Sequence, residues 1–244
     1  DTTESRGLGD VYKRQSPKGL IIKDKLRAEE LPLYNEGGFI VQDEAAQFAS
    51  ELVSSRKRKN ILDVCAAPGG KTCALIDSLP NSACLSALDI NKNRLNLLKA
   101  NLHRLKFSCK LYQIDATDDA IFFDQSFDLI VLDAPCSSSG VIRRHPDIKI
   151  KKNRDNLAIT LKLQFKLLSN IWRFLSIGGE LLYITCSIFK KENDQMIFKF
   201  LDTQKNAKVI NFDNEWGFET KFGRQILPGI NNSDGFFYSK LRKT

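Results

Sequence analysis

Two cysteines stand directly after strand-like apolar segments, where their thiols could act as nucleophiles. Cys136 follows the segment 127–133 in the sequence Asp133-Ala-Pro-Cys136, and Cys186 follows the segment 180–185. A thiolate attacks carbon strongly when nearby cations lower its pKa. Either cysteine taken singly could equally be an inert core thiol. Two thiols that emerge from neighbouring strands favour a reactive pair.

A basic segment follows Cys136 and supplies candidate cations. Residues 141–154 contain six Lys and Arg residues against one Asp. We expect Arg143, Arg144 and His145 to lower the pKa of a nearby thiol. Together with Lys149 they could also bind the phosphates of an RNA and so place its strand. A solvated loop is the plain alternative.

The segment 61–72 has the pattern of a strand, a tight glycine turn and the start of a helix, with Pro68-Gly69-Gly70 at the turn. Glycine lets the backbone approach a ligand closely, and a helix N-terminus offers unpaired N–H groups. The spacing matches neither GxGxxG nor the phosphate loop of ATPases. It favours an adenosyl ligand that is poor in phosphate, such as S-adenosylmethionine, over ATP or NAD. An ordinary strand-to-helix turn is the alternative.

Three aspartates lie at or just after strand ends. Asp89 could accept both ribose hydroxyls of a nucleotide-like cofactor, or it could cap the helix that follows. Asp115 could accept from an adenine amino group or serve as a turn residue. Asp133 is placed to hold the N3/N4 edge of a pyrimidine and to stabilise the charge that develops there.

Two thiols beside a methyl donor suit one difficult reaction, the methylation of carbon 5 of a pyrimidine. That carbon is too weak a nucleophile to attack a methyl group unaided. Addition of a thiolate to carbon 6 converts the ring into an enamine, and carbon 5 becomes reactive. Because a stacked base is out of reach, the nucleotide must be splayed or flipped out.

The elements that would position these residues alternate along the chain. Strand-like segments cover 60–65, 83–90, 108–115, 127–133 and 180–185. Helix-like segments cover 42–55, 71–78, 92–105, 155–175 and 192–204, with Gly178-Gly179 expected to end the fourth. Apolar strands separated by helices predict an α/β fold with a doubly wound, mostly parallel sheet, and 235–241 predicts a closing antiparallel edge strand. In such folds ligands bind beyond the carboxyl ends of the strands.

The length and composition of the chain limit the classes of protein to which it can belong. The chain has 244 residues, 42% hydrophobic and 27% charged, which suits one α/β domain. Its net charge of +8 suits a polyanionic partner. The apolar runs are too short to span a bilayer. Six cysteines without a CxxC pair predict free thiols in a reducing compartment, so we expect a cytoplasmic protein without a metal site. A monomer is the default expectation.

Domain boundaries follow from shifts in pattern. Residues 1–16 lack apolar periodicity and resemble translated adapter sequence, so we expect a non-native leader. If so, the natural protein could extend further upstream. We assign 17–55 to an N-terminal extension of the catalytic domain and 56–244 to the catalytic domain itself.

These motifs resemble the RNA cytosine-C5 methyltransferases of the NOL1/NOP2/Sun family, and within it the bacterial Sun/Fmu type that modifies 16S ribosomal RNA. The resemblance covers residues 20–243 and rests on five pieces: Asp63 to Thr72, Asp133 to Ser137, Gly140 to Lys149, Tyr183 to Ser187, and Glu192-Asn193. It implies a Rossmann-like methyltransferase fold and S-adenosylmethionine as the methyl donor. The cofactor-binding residues that it implies are Cys65, Ala66, Ala67, Pro68, Gly69, Gly70, Lys71, Asp89, Asp115 and Asp133.

The resemblance also implies different roles for the two thiols. It implies that Cys186 is the nucleophile that attacks C6 and that Cys136 assists release of the methylated product. Members of the Sun type carry an N-terminal helical RNA-binding domain, and this chain starts without it. That departure concerns affinity for the substrate and leaves the chemistry untouched.

Other functions fit parts of the pattern. An amino-group methyltransferase on the same fold would carry Asn/Asp-Pro-Pro-aromatic at the end of the fourth strand, where this chain has Asp133-Ala-Pro-Cys136. An RNA-binding assembly factor without catalysis would not need Cys186 or the glycine turn. A role at a membrane surface rests on net charge alone.

Overall fold

The computed structural model describes residues 11–12, 19–21, 26–53, 58–148, 154–212 and 216–244. Apart from β1, the predicted leader over 1–16 lies outside these residues. The strands are β1 Val11–Tyr12, β2 Leu20–Ile21, β3 Asn60–Val64, β4 Cys84–Asp89, β5 Lys110–Gln113, β6 Phe127–Asp133, β7 Leu175–Thr185, β8 Ala207–Ile210, β9 Phe218–Glu219, β10 Arg224–Ile226 and β11 Phe236–Lys243. The helices are α1 Glu44–Glu51, α2 Gly70–Ser78, α3 Lys92–Arg104, α4 Arg154–Trp172 and α5 Asp194–Thr203.

Nine of these strands form one sheet in the order β5-β4-β3-β6-β7-β11-β10-β9, with β8 also paired to β11. The strands from β5 to β7 are parallel, and β11 runs antiparallel to β7. This confirms the predicted doubly wound α/β fold with antiparallel strands at one end. Strand β11 is not itself the edge, because β8 and β10 both pair with its far side.

One predicted helix end is wrong. Helix α4 ends at Trp172, and Gly178-Gly179 lie inside β7. Phe127 of β6 pairs with Leu175 but Leu129 pairs with Glu180, so the residues between Leu175 and Glu180 bulge out of the ladder. Gly178 has a φ of +78°, which glycine adopts without strain, and it serves this bulge.

Both faces of the sheet are covered, as a parallel sheet requires. On one face Ile61 of β3 packs with apolar residues of α1, α2 and α3. On the other face Leu62 and Val64 pack with apolar residues of α4 and α5. Helix α1, in the predicted N-terminal extension, therefore shares the core of the rest of the fold.

The register of the parallel strands brings their carboxyl ends to one rim. Val64 pairs with Leu88 and Leu132, and Asp133 pairs with Ile184. The glycine turn, the end of β4 and both cysteine loops consequently emerge side by side. In the part of the chain that the structure describes, no helix is long and apolar enough to cross a bilayer.

Candidate active site

The two predicted thiols meet at this rim. The Sγ atoms of Cys136 and Cys186 lie 3.3 Å apart, within hydrogen-bond distance for sulfur. Backbone bonds join the loops that carry them: Ala134 N–H donates to Ile184 O, and Gly140 N–H donates to Cys186 O, each at 2.9 Å. A Cβ on Gly140 would stand 2.0 Å from Gly235 O, so only glycine allows this close approach of the loop to the start of β11.

The surroundings make the two thiols unequal. The hydrogen bond from Cys136 lowers the pKa of Cys186 against the opposing effects of burial and of Asp133, and Ser138 and Lys71 lower it further. The same hydrogen bond, followed by burial, raises the pKa of Cys136 well above its usual value. Of the two thiols, Cys186 is therefore the one that loses its proton more readily.

Lys71 is the cation of the site. It is the second residue of α2, and its Nζ lies 2.8 Å from Oδ2 of Asp133 at the end of β6. The ammonium group also lies 4.9 Å from the ring centroid of Phe236. Burial acts to lower the pKa of Lys71, but the charge and hydrogen bond of Asp133 outweigh it and raise the pKa. Lys71 is thus a permanent positive charge beside the thiols.

The glycine turn links β3 to α2 in the predicted place. Cys65 and Gly69 have φ values of +60° and +103°, so the chain reverses sharply between the two elements. A Cβ on Gly69 would meet Leu98 Cδ1 of α3 at 2.3 Å. Because α2 begins at Gly70, the N–H groups of its first turn lack helical acceptors. These N–H groups are therefore available to hydrogen-bond a ligand at the rim.

Below the turn, Asp63 of β3 is fully buried and accepts a 2.6 Å hydrogen bond from Thr72 Oγ1. Burial raises the pKa of Asp63 to about 7. The same effect, strengthened by Asp133 and Asp89, raises the pKa of Cys65 and keeps it a neutral thiol.

Asp89 and Asp115 both lie at the rim, in different environments. Asp89 is buried and accepts from the N–H groups of Ala67 and Asn91 at 3.2 and 2.9 Å. The cap of α3 is Asn91, so Asp89 supports the glycine turn instead. Asp115 is exposed and accepts from the N–H and hydroxyl of Thr117 at 2.8 and 2.7 Å.

Arg143 and Arg144 pair with buried or partly buried carboxylates, and Arg144 also interacts with the charge of Cys186. Arg144 Nε donates to Oδ1 of Asp234 at 3.2 Å, and Arg143 Nη2 lies 3.6 Å from the same oxygen. Arg143 also lies 3.7 Å from Oδ2 of Asp43, which caps α1. Asp234 is fully buried, so the arginines tie the basic loop to the segment before β11. Lys71 lowers the pKa of Cys186, and the attraction between Arg144 and the Cys186 thiolate acts in the same direction.

Of the other predicted RNA-binding residues, the described part of the chain includes His145. His145 is exposed, and its backbone N–H donates to Val141 O at 3.0 Å. Lys149 lies outside the described residues. Binding of RNA by Arg143, Arg144, His145 and Lys149 stays a prediction.

No role for Glu192 was predicted from the residues, although its side chain lies fully buried beneath both cysteine loops. It accepts hydrogen bonds from Ser137 and Ser187, the residues that follow the two cysteines. A glutamate that follows two lysines looks like a surface residue. Its place in the Glu192-Asn193 piece of the family resemblance, six residues after Cys186, is the signal that the chain offers.

A family model and curated relatives point to the same family for this chain. A family model described as 16S rRNA methyltransferase RsmB/F matches residues 51–242. Ribosomal RNA small subunit methyltransferase B of Pseudomonas putida is 40% identical over 238 residues, which are 97% of this chain and 55% of the relative. The protein of the same name from Shewanella oneidensis is 44% identical over 215 residues, 87% of this chain and 50% of the relative. The chain spans about half the length of these curated relatives.

Two solved structures have a fold similar to that of this chain. The crystal structure of PH0851 has a TM-score of 0.91 at 32% identity, and it covers 98% of this chain and 54% of that one. NSun6 from Pyrococcus horikoshii, solved with SFG, has a TM-score of 0.79 at 30% identity, covering 88% of this chain and 56% of that one.

Proposed function

This chain belongs to the 16S rRNA methyltransferase RsmB/F family, and on that premise we propose that it methylates carbon 5 of a cytosine in RNA, with 16S ribosomal RNA as the substrate. The observation that carries the proposal is the pair of thiols 3.3 Å apart at the carboxyl ends of β6 and β7. Direct methylation of an amino group has no use for either thiol.

The cofactor proposed is S-adenosylmethionine, which supplies an electrophilic methyl group when bound. The rim fits such a ligand in its chemistry. It offers the free N–H groups of the first turn of α2, the exposed carboxylate of Asp115 and the carboxylate of Asp133, whose side chain is 31% exposed. A carboxylate has about four lone-pair sites, so Asp89 can accept a ribose hydroxyl besides its two backbone donors. The residues proposed to hold the cofactor are Cys65, Ala66, Ala67, Pro68, Gly69, Gly70, Lys71, Asp89, Asp115 and Asp133.

Cys186 acts as the nucleophile in this proposal. Its thiolate adds to C6 of the cytosine: the S–C6 bond forms, the C5–C6 π bond breaks, and its electrons move towards C4 and N3, which makes C5 the nucleophilic carbon of an enamine. C5 would then take the methyl group of the donor as the donor's S–CH3 bond breaks and S-adenosylhomocysteine leaves. Asp133 accepts from the exocyclic amino group of the base and holds its edge. Lys71, 2.8 Å from Asp133, balances the negative charge that gathers there.

Cys136 completes the reaction as the base. While Cys186 is a thiolate, its charge and hydrogen bond keep the proton on Cys136. Once Cys186 is bonded to carbon it carries no charge, so Cys136 can lose its proton to solvent. Its thiolate then takes the hydrogen from C5, the C5–C6 double bond reforms, and Cys186 leaves as a thiolate. The proton moves from carbon to Cys136, so atoms and charges balance.

The test uses purified protein, S-adenosylmethionine and deproteinised 16S rRNA, with detection of 5-methylcytidine and of protein–RNA adducts that survive denaturation. Wild type should form 5-methylcytidine, Cys136→Ala should accumulate adduct, and Cys186→Ala should form neither. Cys84→Ala, an exposed thiol at the start of β4, is the matched control and should behave as wild type. Methylation by Cys186→Ala would contradict the proposal. If wild type is silent, fusion to the upstream domain of a relative separates lost affinity from absent chemistry.

Several broader properties belong to the same proposal. RNA is the macromolecular partner, the protein acts as a monomer in the cytoplasm, and 56–244 is the catalytic domain with 17–55 as its extension. A catalytically inactive assembly factor is the competing function, and formation of 5-methylcytidine by the purified chain would exclude it.

A further inference from the structure

Glu192 connects the two cysteine loops through one buried carboxylate. Its Oε1 accepts from the N–H of Ser137 at 2.7 Å and from Gln164 Nε2 of α4 at 3.2 Å. Its Oε2 accepts from the hydroxyl of Ser137 at 2.5 Å and from the hydroxyl of Ser187. Ser137 follows Cys136 and Ser187 follows Cys186, so the same side chain fixes the residue next to each thiol.

Further hydroxyl bonds close this network. The Oγ atoms of Ser137 and Ser187 lie 3.1 Å apart, and Ser139 Oγ lies 3.1 Å from each of them. The N–H of Ile188 donates to Ser139 Oγ at 3.0 Å. The loop after β6 and the loop after β7 therefore share a buried set of hydrogen bonds directly below the 3.3 Å contact of the sulfurs.

The charge of Glu192 is held by neutral donors. Its side chain is fully buried, and among the described residues the ion pairs include none that involves Glu192. A buried anion acts strongly on neighbouring titratable groups because little water screens it. The negative charge of Glu192 opposes ionisation of Cys136.

We propose that Glu192 is a positioning residue of the thiol pair: its buried carboxylate binds the residue after each cysteine and so holds Cys136 and Cys186 in contact, with its negative charge on the side of Cys136. The inference rests on the proposed roles of the two thiols. It adds a residue to the site that touches neither substrate nor cofactor.

Other charged or titratable groups also face the two thiols and affect their pKa values. They are Lys71 and Asp133 across the rim, Arg144 from the basic loop, Tyr183 of β7 and Tyr238 of β11. Both tyrosines are fully buried, which raises their pKa values well above the usual range and keeps them neutral. Glu192 contributes to the raised pKa of Tyr183, but burial is the larger cause, so Tyr183 stays neutral when that charge is removed.

Alkylation by iodoacetamide tests the inference without RNA or cofactor, so its outcome is independent of methyltransferase activity. The protein is treated with a limiting amount of iodoacetamide at a series of pH values. Peptide mass spectrometry then gives the ratio of modified Cys186 to modified Cys136 at each pH. Wild type should react mainly at Cys186. Glu192→Gln keeps the shape and an acceptor oxygen but loses the charge, and we expect this ratio to fall about tenfold, which corresponds to one pKa unit.

Two further variants make the result interpretable. Glu180→Gln removes another buried carboxylate, paired with Arg58 and Arg242 and about 20 Å away along β7 at the rise of a strand; it should lower stability and leave the ratio at the wild-type value. Ser187→Ala loosens the network without removing the charge, and it should slow alkylation of Cys186 several-fold. A folded Glu192→Gln protein with the wild-type ratio across the titration overturns the inference. Should Glu192→Gln not fold, wild-type reactivity of Cys186 in Ser187→Ala overturns it.

Discussion

The ammonium group of Lys71 lies 2.8 Å from Oδ2 of Asp133, although 62 residues separate them in the chain. One residue begins the helix after the glycine turn, and the other ends β6 beside the loop of Cys136. Both charges also act on Cys186, with opposite signs: Asp133 raises its pKa and Lys71 lowers it. The ion pair therefore connects the proposed cofactor loop to the proposed nucleophile.

Replacing Lys71 should make Cys186 less acidic. Lys71→Met removes a cation that lowers the pKa of Cys186 and leaves the charge of Asp133 unbalanced, and both changes favour the neutral thiol. We expect its pKa to rise by about one unit, so alkylation of Cys186 at neutral pH slows about tenfold. The pH dependence of iodoacetamide labelling measures this. Lys71→Arg keeps the charge and should stay near wild type; identical pH profiles for Lys71→Met and wild type would contradict the interpretation.

The glycine turn should tolerate alanine at Gly70 but not at Gly69. Gly69→Ala places a Cβ 2.3 Å from Leu98 Cδ1 at a φ of +103°, and we expect it to lower the free energy of unfolding by about 2 kcal/mol. At Gly70 the nearest atom, Gln42 Nε2, is 3.9 Å away. Because alanine favours a helix, Gly70→Ala should leave stability unchanged or raise it by up to about 1 kcal/mol. Urea unfolding compares them, and equal losses would refute the strain argument.

The buried carboxyl of Asp63 should make stability depend on pH. Its pKa rises from 3.8 to about 7, chiefly through burial, so the folded protein keeps a proton that the unfolded chain has lost. The stabilisation from this proton is complete below about pH 4 and disappears as the pH rises through about 7. Asp63→Asn removes the dependence. Relative to wild type, its free energy of unfolding should increase by up to about 4 kcal/mol between those pH values and then level off.

Urea unfolding of wild type and Asp63→Asn over a pH series provides the measurement. Asp115→Asn, which changes an exposed carboxyl at the same rim, is the control and should follow the wild-type curve closely. A difference between wild type and Asp63→Asn that does not vary with pH would show that Asp63 ionises normally in the folded protein.

Adjacent arginines of the basic loop should respond differently to truncation. Arg144 is hydrogen-bonded to the fully buried Asp234, so Arg144→Ala should destabilise the fold by about 3 kcal/mol by leaving that charge without its hydrogen-bonded partner. Arg143 makes only longer contacts of 3.6 and 3.7 Å. Arg143→Ala should mainly weaken RNA binding and reduce the salt dependence, as a slope of log K against log salt, by about one.

Fluorescence anisotropy with a labelled rRNA fragment at several salt concentrations, together with thermal unfolding, separates these effects. Lys205→Ala is the matched control, since Lys205 is an exposed cation beyond α5 that pairs with Asp202. An unchanged salt slope for Arg143→Ala would remove Arg143 from the RNA surface.

The order of strands and helices was predictable because it depends on local pattern. Near-continuous apolar runs predicted the parallel strands, and β6 spans Phe127–Asp133 as expected. Failures occurred where the pattern was ambiguous. Gly178-Gly179 resemble a helix end, but pairing of Leu175 with β6 starts the strand before them. The short strands β9 and β10 had no apolar period long enough to read.

The sequence by itself determined which groups reach the rim of the parallel sheet, because residue types and their places after the strands decide this. Cys136, Cys186, Asp133 and the glycine turn are all where their neighbours in the chain predicted. Only the tertiary structure decided how these groups affect one another. Lys71 joins Arg144 of the basic loop in acting on Cys186, and Glu192 lies beneath both thiols instead of on the surface. Electrostatic effects depend on distance and burial, and both arise from packing between segments that are far apart in sequence.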